Sequence, residues 1–168
     1  KLPQDSIRIC DLCCGKSYLS FAAYHYFANV LGRNVRMTGV DLSQEMLTVA
    51  QNRCAGYPVS FFLQDIASLR LPEKYDFMTA VTDGFNYVPP KKAATALKKM
   101  AAHLTQGGLL YLDLSSAYKL REVLGNNTFK MRKKGTSCIW SNRLLEDGFT
   151  TEITVAECTV EIIRRALD

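Results

Sequence analysis

One stretch near the start of the chain, residues 7–19, sets what the rest can fold into. Its first half, Ile7–Leu12, is a short apolar run with β-branched residues, the pattern of a buried strand in a parallel sheet. The run breaks at Gly15, and an apolar and aromatic segment from Leu19 predicts a helix of at least three turns that ends at Gly32. A strand, a glycine turn and a helix in this order present backbone N–H groups to a nucleotide-like ligand.

A carboxylate at the end of the next predicted strand narrows the ligand class. The second strand candidate is Val35–Asp41, and it ends in an aspartate. An ionised carboxylate offers only hydrogen-bond acceptors, which suit the two hydroxyl donors of a ribose. The opening unit is therefore predicted to be a nucleoside-binding βαβ unit.

The spacing of small residues in the first loop distinguishes two kinds of cofactor. A dinucleotide fold uses Gly-x-Gly-x-x-Gly so that the backbone can approach a pyrophosphate. The corresponding positions here are Cys13, Gly15 and Tyr18, so two of the three glycines are missing. S-adenosylmethionine (SAM) has no phosphate and carries cationic ammonium and sulfonium groups. It needs only Gly15 to be small, and it favours an acidic residue, Asp11, at the end of the strand.

A P-loop nucleotide hydrolase is the alternative that would use Gly15-Lys16-Ser17. These residues match the end of Gly-x-x-x-x-Gly-Lys-Ser/Thr, but Cys10 stands where the first glycine belongs. Asp11 would also put a carboxylate into a loop that has to hold phosphate anions. Under this hypothesis Asp113, at the end of the fifth predicted strand, would serve as the Walker B aspartate.

Three segments resemble the motifs of class I SAM-dependent methyltransferases, in particular the small bacterial enzymes that act on small molecules. Residues 11–15 (Asp-Leu-Cys-Cys-Gly) resemble motif I, Asp-x-Gly-x-Gly, while residues 39–47 resemble motif II and residues 62–66 resemble motif III. The resemblance implies an α/β fold, a Rossmann-like three-layer sandwich with a mostly parallel sheet, and SAM as the cofactor. The sequence departs from motif I at Cys13 and Ser17, where glycine is usual.

The matched positions define a set of expected cofactor contacts. Asp41 is expected to accept the ribose hydroxyls, and the resemblance implies that Asp65 accepts the adenine N6 amino group while the backbone N–H of Ile66 meets N1. Two simpler roles stay open, because Asp65 could only cap the next turn and Met46 could only fill the core. The residues expected to bind the cofactor are Asp11, Cys13, Gly15, Tyr18, Asp41, Leu42, Met46, Asp65, Ile66 and Thr82.

The segment after the fourth predicted strand, Tyr75–Thr82, occupies the motif IV position, beside the transferred methyl group. Methyl transfer from a sulfonium is an in-line displacement that needs alignment and water exclusion more than a strong acid or base. An amine or thiol acceptor needs no catalytic residue, whereas a hydroxyl or an acidic carbon needs a base. Asp83 and Tyr87 are the candidate catalytic residues.

The chain changes character after the fifth predicted strand, Leu109–Leu114, which a Thr105–Gly108 turn precedes. Residues 1–115 are predicted to form the SAM-binding Rossmann-like core. Residues 116–168 are predicted to form a substrate-cap hairpin and a C-terminal helix of the same domain. The hairpin would turn at Glu146–Gly148, and the helix would run from Thr159 to Leu167. The two final strands of the seven-stranded methyltransferase sheet are not recognisable, as if part of the sequence were missing.

Composition and charge limit the classes of protein to which this chain can belong. The chain has 168 residues, 48% of them hydrophobic, which suits one globular domain. Its six cysteines include only one Cys-x-x-Cys pair, so no metal site and a reduced, cytoplasmic protein are expected. No apolar run is long enough for a membrane span, and no signal-peptide pattern precedes the first strand. The net charge of +5 is scattered over lysine and arginine pairs, which favours solvated surfaces over nucleic-acid binding.

Three functional hypotheses follow from these observations. The first is a SAM-dependent methyltransferase that acts on a small-molecule acceptor, and the second is the P-loop nucleotide hydrolase. The third is a SAM-binding module without turnover, suggested by Cys13 and Ser17 and by the missing strands. An uncovered fifth strand would favour a homodimer.

Overall fold

The computed structural model describes residues 6–133, 136–147 and 151–160, and the chain divides into two compact units, residues 1–114 and 115–168. The first unit contains five parallel strands in the order β3-β2-β1-β4-β5. Their bounds are β1 Ser6–Leu12, β2 Asn34–Asp41, β3 Val59–Leu63, β4 Tyr75–Ala80 and β5 Leu104–Leu112. The order reverses between β1 and β4, and ligands of open α/β sheets bind at such a switch point, beyond the carboxyl ends of the strands.

Helical segments lie in the connections between these parallel strands. Two short 3₁₀ turns, Ile66–Ser68 and Gly84–Tyr87, follow β3 and β4. The longer helices are α1 Tyr18–Tyr24, α2 Gln44–Arg53 and α3 Pro90–Ala102. Ser43 caps α2 by accepting a hydrogen bond from the Met46 N–H (3.2 Å).

Both faces of the sheet are covered, which gives three layers. Alternate residues of β1 point to opposite faces, and they belong to two separate core clusters. Ile7 and Ile9 pack with residues of β2 and of the first helical segment, including Phe27. Cys10 and Leu12 pack with β4 and with Met100 of α3. The predicted fold, a Rossmann-like sandwich with a parallel sheet, is confirmed.

The second unit contains a short π-helical segment and an antiparallel sheet. The segment is Lys119–Leu124, and the three strands, in the order β6-β7-β8, are β6 Thr128–Lys133, β7 Thr136–Leu144 and β8 Thr151–Val160. Strands β7 and β8 pair antiparallel, which confirms the predicted hairpin. No helix within the described ranges is long and apolar enough to cross a membrane.

Three details differ from the sequence-based expectations. The helix predicted to continue to Gly32 changes at His25 into a π-helix, His25–Val30. The predicted Thr105–Gly108 turn is wrong, because β5 already begins at Leu104 and absorbs these residues through an irregular register opposite Tyr75 and Phe77. The predicted C-terminal helix is wrong at Thr159 and Val160, which extend β8, and its other residues lie outside those described.

Asp76, near the start of β4, forms an ion pair at the amino ends of the strands. Its carboxylate accepts hydrogen bonds from the Arg8 backbone N–H (3.0 Å) and guanidinium (3.3 Å) and from the Thr105 hydroxyl (3.0 Å). Burial works to raise the pKa of Asp76, but these hydrogen bonds outweigh burial, and the pKa lies below its usual value. The stabilisation is therefore present at neutral pH and is lost as the pH falls through the folded-state pKa.

We expect Asp76→Asn to lower the free energy of unfolding at pH 7 by about 1.5–3 kcal/mol, the range for hydrogen bonds to a charged group. The gap between variant and wild type should begin to narrow as the pH falls below the ordinary aspartate pKa of about 3.9, and it should close only below the lower folded-state pKa, where Asp76 becomes neutral in the folded wild type too. Urea unfolding across this pH range measures the gap. A gap that does not change with pH would contradict the ion-pair interpretation.

Candidate functional site

Two adjoining cavities lie at the carboxyl edge of the parallel sheet. The larger cavity has a volume of about 650 Å³, and the smaller has a volume of about 360 Å³. They share the side chains of Cys13, Met46 and Thr82, which come from the loop after β1, from α2 and from the loop after β4. The site is thus assembled from segments that the parallel topology brings to one edge.

All ten residues that the sequence analysis assigned to the cofactor line these cavities. Six line the smaller cavity, namely Asp11, Cys13, Gly15, Tyr18, Met46 and Thr82. The larger cavity adds Asp41, Leu42, Asp65 and Ile66. The structure therefore brings the predicted residues together, although their binding roles stay predictions.

The loop after β1 uses its own N–H groups to hold its shape. The N–H of Cys14 donates to the Val40 carbonyl (2.9 Å), the N–H of Gly15 donates to the Asp41 carboxylate (2.7 Å), and the N–H of Ser17 donates to the Cys14 carbonyl (2.8 Å). A P-loop needs such groups to point at phosphate oxygens. Because these three are already used within the protein, the nucleotide hydrolase alternative is not favoured.

The contacts of Asp113 also argue against the nucleotide hydrolase alternative. Its carboxylate accepts hydrogen bonds from the N–H groups of Thr82 (2.8 Å) and Asp83 (2.9 Å). Both oxygens are therefore engaged by the backbone of the loop after β4. This arrangement gives Asp113 a structural partner and leaves it unlike a Walker B aspartate.

Asp41 ends β2 with its carboxylate at the larger cavity. One oxygen accepts the Gly15 N–H (2.7 Å), and the other accepts the Ser43 N–H (2.9 Å). Each carboxylate oxygen has two lone pairs, so each keeps capacity for another donor. The two backbone hydrogen bonds fix the orientation of the group, and the remaining acceptors match a ribose diol.

The buried carboxylate of Asp11 connects the elements around the smaller cavity. Its side chain is only 2% exposed, and its oxygens accept hydrogen bonds from the hydroxyls of Ser20 (2.6 Å) and Thr79 (2.9 Å). Burial raises the pKa of Asp11 above its usual value, while these hydrogen bonds oppose the change. The carboxylate ties the end of β1 to α1 and β4 at the smaller cavity, which Asp11 lines.

Asp65 caps the turn after β3 and also lies at the wall of the larger cavity, while its contact with adenine stays a prediction. One oxygen caps the following turn by accepting the Ala67 N–H (2.8 Å), and the other accepts a hydrogen bond from the Lys92 ammonium (3.1 Å) at the wall of the larger cavity. The Ala67 hydrogen bond, followed by the one from Lys92, lowers the pKa of Asp65. The group is held ionised and oriented at the cavity.

The apolar surface of the site comes from three side chains that the sequence analysis named. Leu42 is 72% exposed and Met46 is 39% exposed, although both are hydrophobic, whereas Ile66 is buried. All three line the larger cavity beside Asp41 and Asp65. A mostly apolar lining with a few precisely placed polar groups is typical of pockets for small molecules and cofactors.

The loop after β4 is strained at two successive residues. Thr82 and Asp83 both have φ of 61°, a left-handed conformation that costs about 1–3 kcal/mol for each non-glycine residue. Tyr87, farther along, is 76% exposed and lines the larger cavity. The Asp83 carboxylate instead accepts a hydrogen bond from Asn86 (3.0 Å), and Asp83 is not among the residues lining either cavity.

The thiols in the site are poor nucleophiles. Burial, together with the charges of nearby carboxylates that include Asp41, raises the pKa of Cys13 to about 12, and burial raises that of Cys14 to about 12 as well. Both thiols are therefore protonated at neutral pH. Among the described residues, no group of three or more histidine, cysteine, aspartate or glutamate side chains could hold a metal ion.

The family of the chain is decided by comparison with known proteins. A family model described as "Methyltransferase domain" matches residues 9–108, which include every segment of the site described above except Asp113. The chain belongs to the class I SAM-dependent methyltransferase family. The resemblance found in the three motifs is confirmed, and SAM is the cofactor of this family.

Individual relatives agree with this assignment. YqeM of Bacillus subtilis (strain 168), which carries a provisional methyltransferase name, is 29% identical over 80% of this chain and 53% of its own length. A malonyl-[acyl-carrier protein] O-methyltransferase of Bacillus cytotoxicus is 29% identical over 74% of this chain and 38% of its own length. The methyltransferase chain described here therefore spans about half the length, or less, of these curated relatives.

Solved structures show the same fold. A SAM-dependent methyltransferase from Clostridium acetobutylicum ATCC 824 superposes with a TM-score of 0.74 and 29% identity, covering 94% of this chain and 66% of the other. The SAM-bound amino pentose methyltransferase CalS10 from Micromonospora echinaspora superposes with a TM-score of 0.63 and 20% identity, covering 90% and 68%.

The residues of this methyltransferase domain fit SAM. The larger cavity, at about 650 Å³, lies within the range of roughly 300–1,000 Å³ of cofactor and small-molecule pockets. Three aspartates line the two cavities, and the loop N–H groups named above are already used internally, so the site suits a cationic ligand without phosphate. Asp41 keeps two acceptors for a diol, as described above.

Sequence reasoning missed Lys92 at the site. This lysine lies in the first turn of α3, where the helix dipole disfavours a cation. Its unfavourable position was the only feature of the sequence that indicated a role for Lys92. Sequence reasoning also missed Arg53, whose guanidinium lies over the Tyr18 ring (3.7 Å) and donates a hydrogen bond to the Lys16 carbonyl (2.9 Å). No spacing rule connects the end of α2 with the loop after β1.

Proposed function

We propose that this chain is the SAM-binding domain of a methyltransferase that acts on a small-molecule acceptor. The observation that carries the proposal is the Asp41 carboxylate, which two backbone N–H groups orient at the end of β2. Its free acceptors face a cavity that apolar residues also line. This combination serves the ribose and the adenine of a nucleoside cofactor that has no phosphate.

Each residue of the site has a separate task in this proposal. Asp41 binds the ribose hydroxyls, and Asp65 orients the base through its free lone pairs. Leu42, Met46 and Ile66 exclude water from the apolar faces of the larger cavity. When bound, SAM supplies an electrophilic methyl group on its sulfonium. The protein contributes alignment, since methyl transfer to an amine or thiol needs no acid or base.

Tyr87 is the better of the two proposed catalytic residues. It lines the larger cavity and its side chain is largely exposed, so its hydroxyl is available to an acceptor. Asp83 is held by Asn86 away from the residues that line either cavity. An acceptor that must lose a proton would therefore be served by Tyr87.

The class of acceptor is part of the proposal. The names of two similar proteins describe methyltransferases for malonyl-[acyl-carrier protein] and for an amino pentose. The lysine and arginine pairs of this chain form no basic stripe in the sequence, which agrees with a small-molecule acceptor and with no nucleic-acid partner.

Two further roles are proposed for the edges of the domain. Residues 116–168 would cover the acceptor, and the packed rings of Phe129 and Trp140 (centroids 5.1 Å apart) give that unit an aromatic patch. Strand β5 lies at the edge of the described sheet, next to β4. A second copy of the chain could pair there, so a homodimer is part of the proposal.

Calorimetric titration tests the proposed function directly. We expect SAM and its demethylated product, S-adenosylhomocysteine, to bind with dissociation constants on the order of micromolar, about −8 kcal/mol. Mg-ATP should give no heat of binding, because the N–H groups of Cys14, Gly15 and Ser17 are already used within the protein. Binding of Mg-ATP without SAM would overturn the proposal. SAM binding without transfer to any acceptor would favour a SAM-binding module without turnover.

A further inference from the structure

The turn after β4 holds a conformation that its own residues disfavour. Thr82 and Asp83 both have φ of 61°, a region where β-branched threonine is a genuine outlier. Such a pair persists only where the surrounding structure determines it. A group elsewhere in the protein must therefore supply that constraint.

Asp113 is the group that holds the turn. It follows β5 directly, and its backbone N–H continues the ladder between β4 and β5 by donating to the Ala80 carbonyl (3.2 Å). Its two carboxylate oxygens accept hydrogen bonds from the N–H groups of Thr82 (2.8 Å) and Asp83 (2.9 Å). One rigid carboxylate therefore contacts both left-handed residues, and hydrogen bonds to an ionised acceptor are the stronger kind.

The clamped turn forms part of the wall of both cavities. Thr82 lines the smaller and the larger cavity, and Gly84 and Tyr87 line the larger one. Gly84 also lies against Cys13, because a Cβ at Gly84 would come within 2.5 Å of the Cys13 Cβ. A displacement of the turn would thus reach the loop after β1, which lines the cofactor site as well.

We propose that Asp113 is a positioning residue, a carboxylate clamp that keeps the Thr82–Asp83 turn in its left-handed conformation and so shapes the wall shared by the two cavities. The inference rests on the proposed function in naming SAM as the ligand. The clamp itself is a property of the free protein. Asp113 acts through the turn, and no contact with the reacting groups is assigned to it.

The test compares Asp113→Ala and Asp113→Asn in two backgrounds, the wild type and a Thr82→Gly/Asp83→Gly variant. In the wild-type background Asp113→Ala should weaken SAM binding by about tenfold or more, because an unclamped turn leaves its disfavoured conformation. Asp113→Asn keeps one acceptor and should lose less. In the diglycine background the loss caused by Asp113→Ala should shrink to about threefold or less, because glycine adopts positive φ without strain.

The matched control is Asp76→Ala, which removes a hydrogen-bonded carboxylate from the opposite end of β4. It should lower thermal stability and leave SAM affinity unchanged. If Asp113→Ala behaves as this control does, Asp113 is only a stabilising residue and the proposal is overturned. An equal loss of SAM affinity in both backgrounds would also overturn it. Should Asp113→Ala fail to fold, Asp113→Asn carries the same comparison.

A second readout separates this proposal from the proposed function. In the free protein, the amide protons of Thr82 and Asp83 should shift downfield through their hydrogen bonds to Asp113, and both shifts should be lost in Asp113→Ala. Amide shifts in the variant that match the wild type would overturn the clamp, whatever ligand the protein binds. Failure of the wild type to bind SAM would overturn the proposed function and leave the amide result intact.

Discussion

Replacing Asp41 by alanine is expected to lower the affinity for SAM by about 2–5 kcal/mol, or roughly thirtyfold to several thousandfold. The variant loses the acceptors for both ribose hydroxyls. It also leaves the N–H groups of Gly15 and Ser43 without the carboxylate that they contact in the wild type. Calorimetry with SAM and S-adenosylhomocysteine measures the effect. Both ligands should weaken together, because they share the ribose.

Two further variants sharpen this result. Asp41→Asn keeps one acceptor oxygen and should bind SAM with an affinity between those of wild type and Asp41→Ala. Glu45→Ala removes an exposed carboxylate nearby, which accepts a hydrogen bond from Ser43 (2.8 Å) but lines neither cavity, and it should bind SAM as the wild type does. If Asp41→Ala and Glu45→Ala bind equally well, Asp41 does not contact the ribose.

The positions of the site residues could be predicted because they depend on strand ends. Buried parallel strands are recognisable as short apolar runs, and their carboxyl ends meet at one edge of the sheet. Asp11 and Asp41 lie at the ends of such runs, and Asp65 lies two residues beyond β3. Their shared location therefore follows from the sequence pattern and a topology rule, and the family model confirms the fold.

What the sequence did not predict depends on contacts between distant segments. The partners of Asp113 are backbone N–H groups about thirty residues earlier, and backbone groups carry no sequence signal. Lys92 meets Asp65 only because α3 packs against the turn after β3. Asp83 likewise lies in a left-handed turn and is not among the residues that line either cavity. The threonine before it gives no sequence signal of a positive φ, since β-branched residues are outliers there.

The change at His25 from α-helix to π-helix was also beyond sequence reasoning. The segment is mostly apolar and aromatic, so its pattern fits either type of helix. The rings of Phe21 and His25 pack against Tyr57, with centroids 5.2 and 5.5 Å from that ring. The sequence pattern thus predicted a helix here correctly, but it carried no information on whether the helix is of the α or the π type.

Gly84→Ala is expected to disrupt the site through one contact. An alanine Cβ would lie 2.5 Å from the Cys13 Cβ, which is attached to a backbone that is itself at positive φ. Neither atom is the flexible end of a side chain, so one of the two loops must move. We expect a loss of stability of about 1–3 kcal/mol and a loss of SAM affinity of about tenfold or more, because both loops line the larger cavity.

Cys13→Gly should suppress this defect when it is combined with Gly84→Ala. Without the Cys13 side chain, the next atom is the residue 13 Cα at 3.9 Å, an ordinary contact. Glycine also adopts φ of 54° without strain. SAM affinity of the double variant, measured by calorimetry, should return to within about threefold of that of Cys13→Gly alone. Gly56→Ala, at a positive-φ turn that lines neither cavity, is the control and should lose stability without losing affinity. A double variant as weak as Gly84→Ala would show that the two loops are not coupled through this contact.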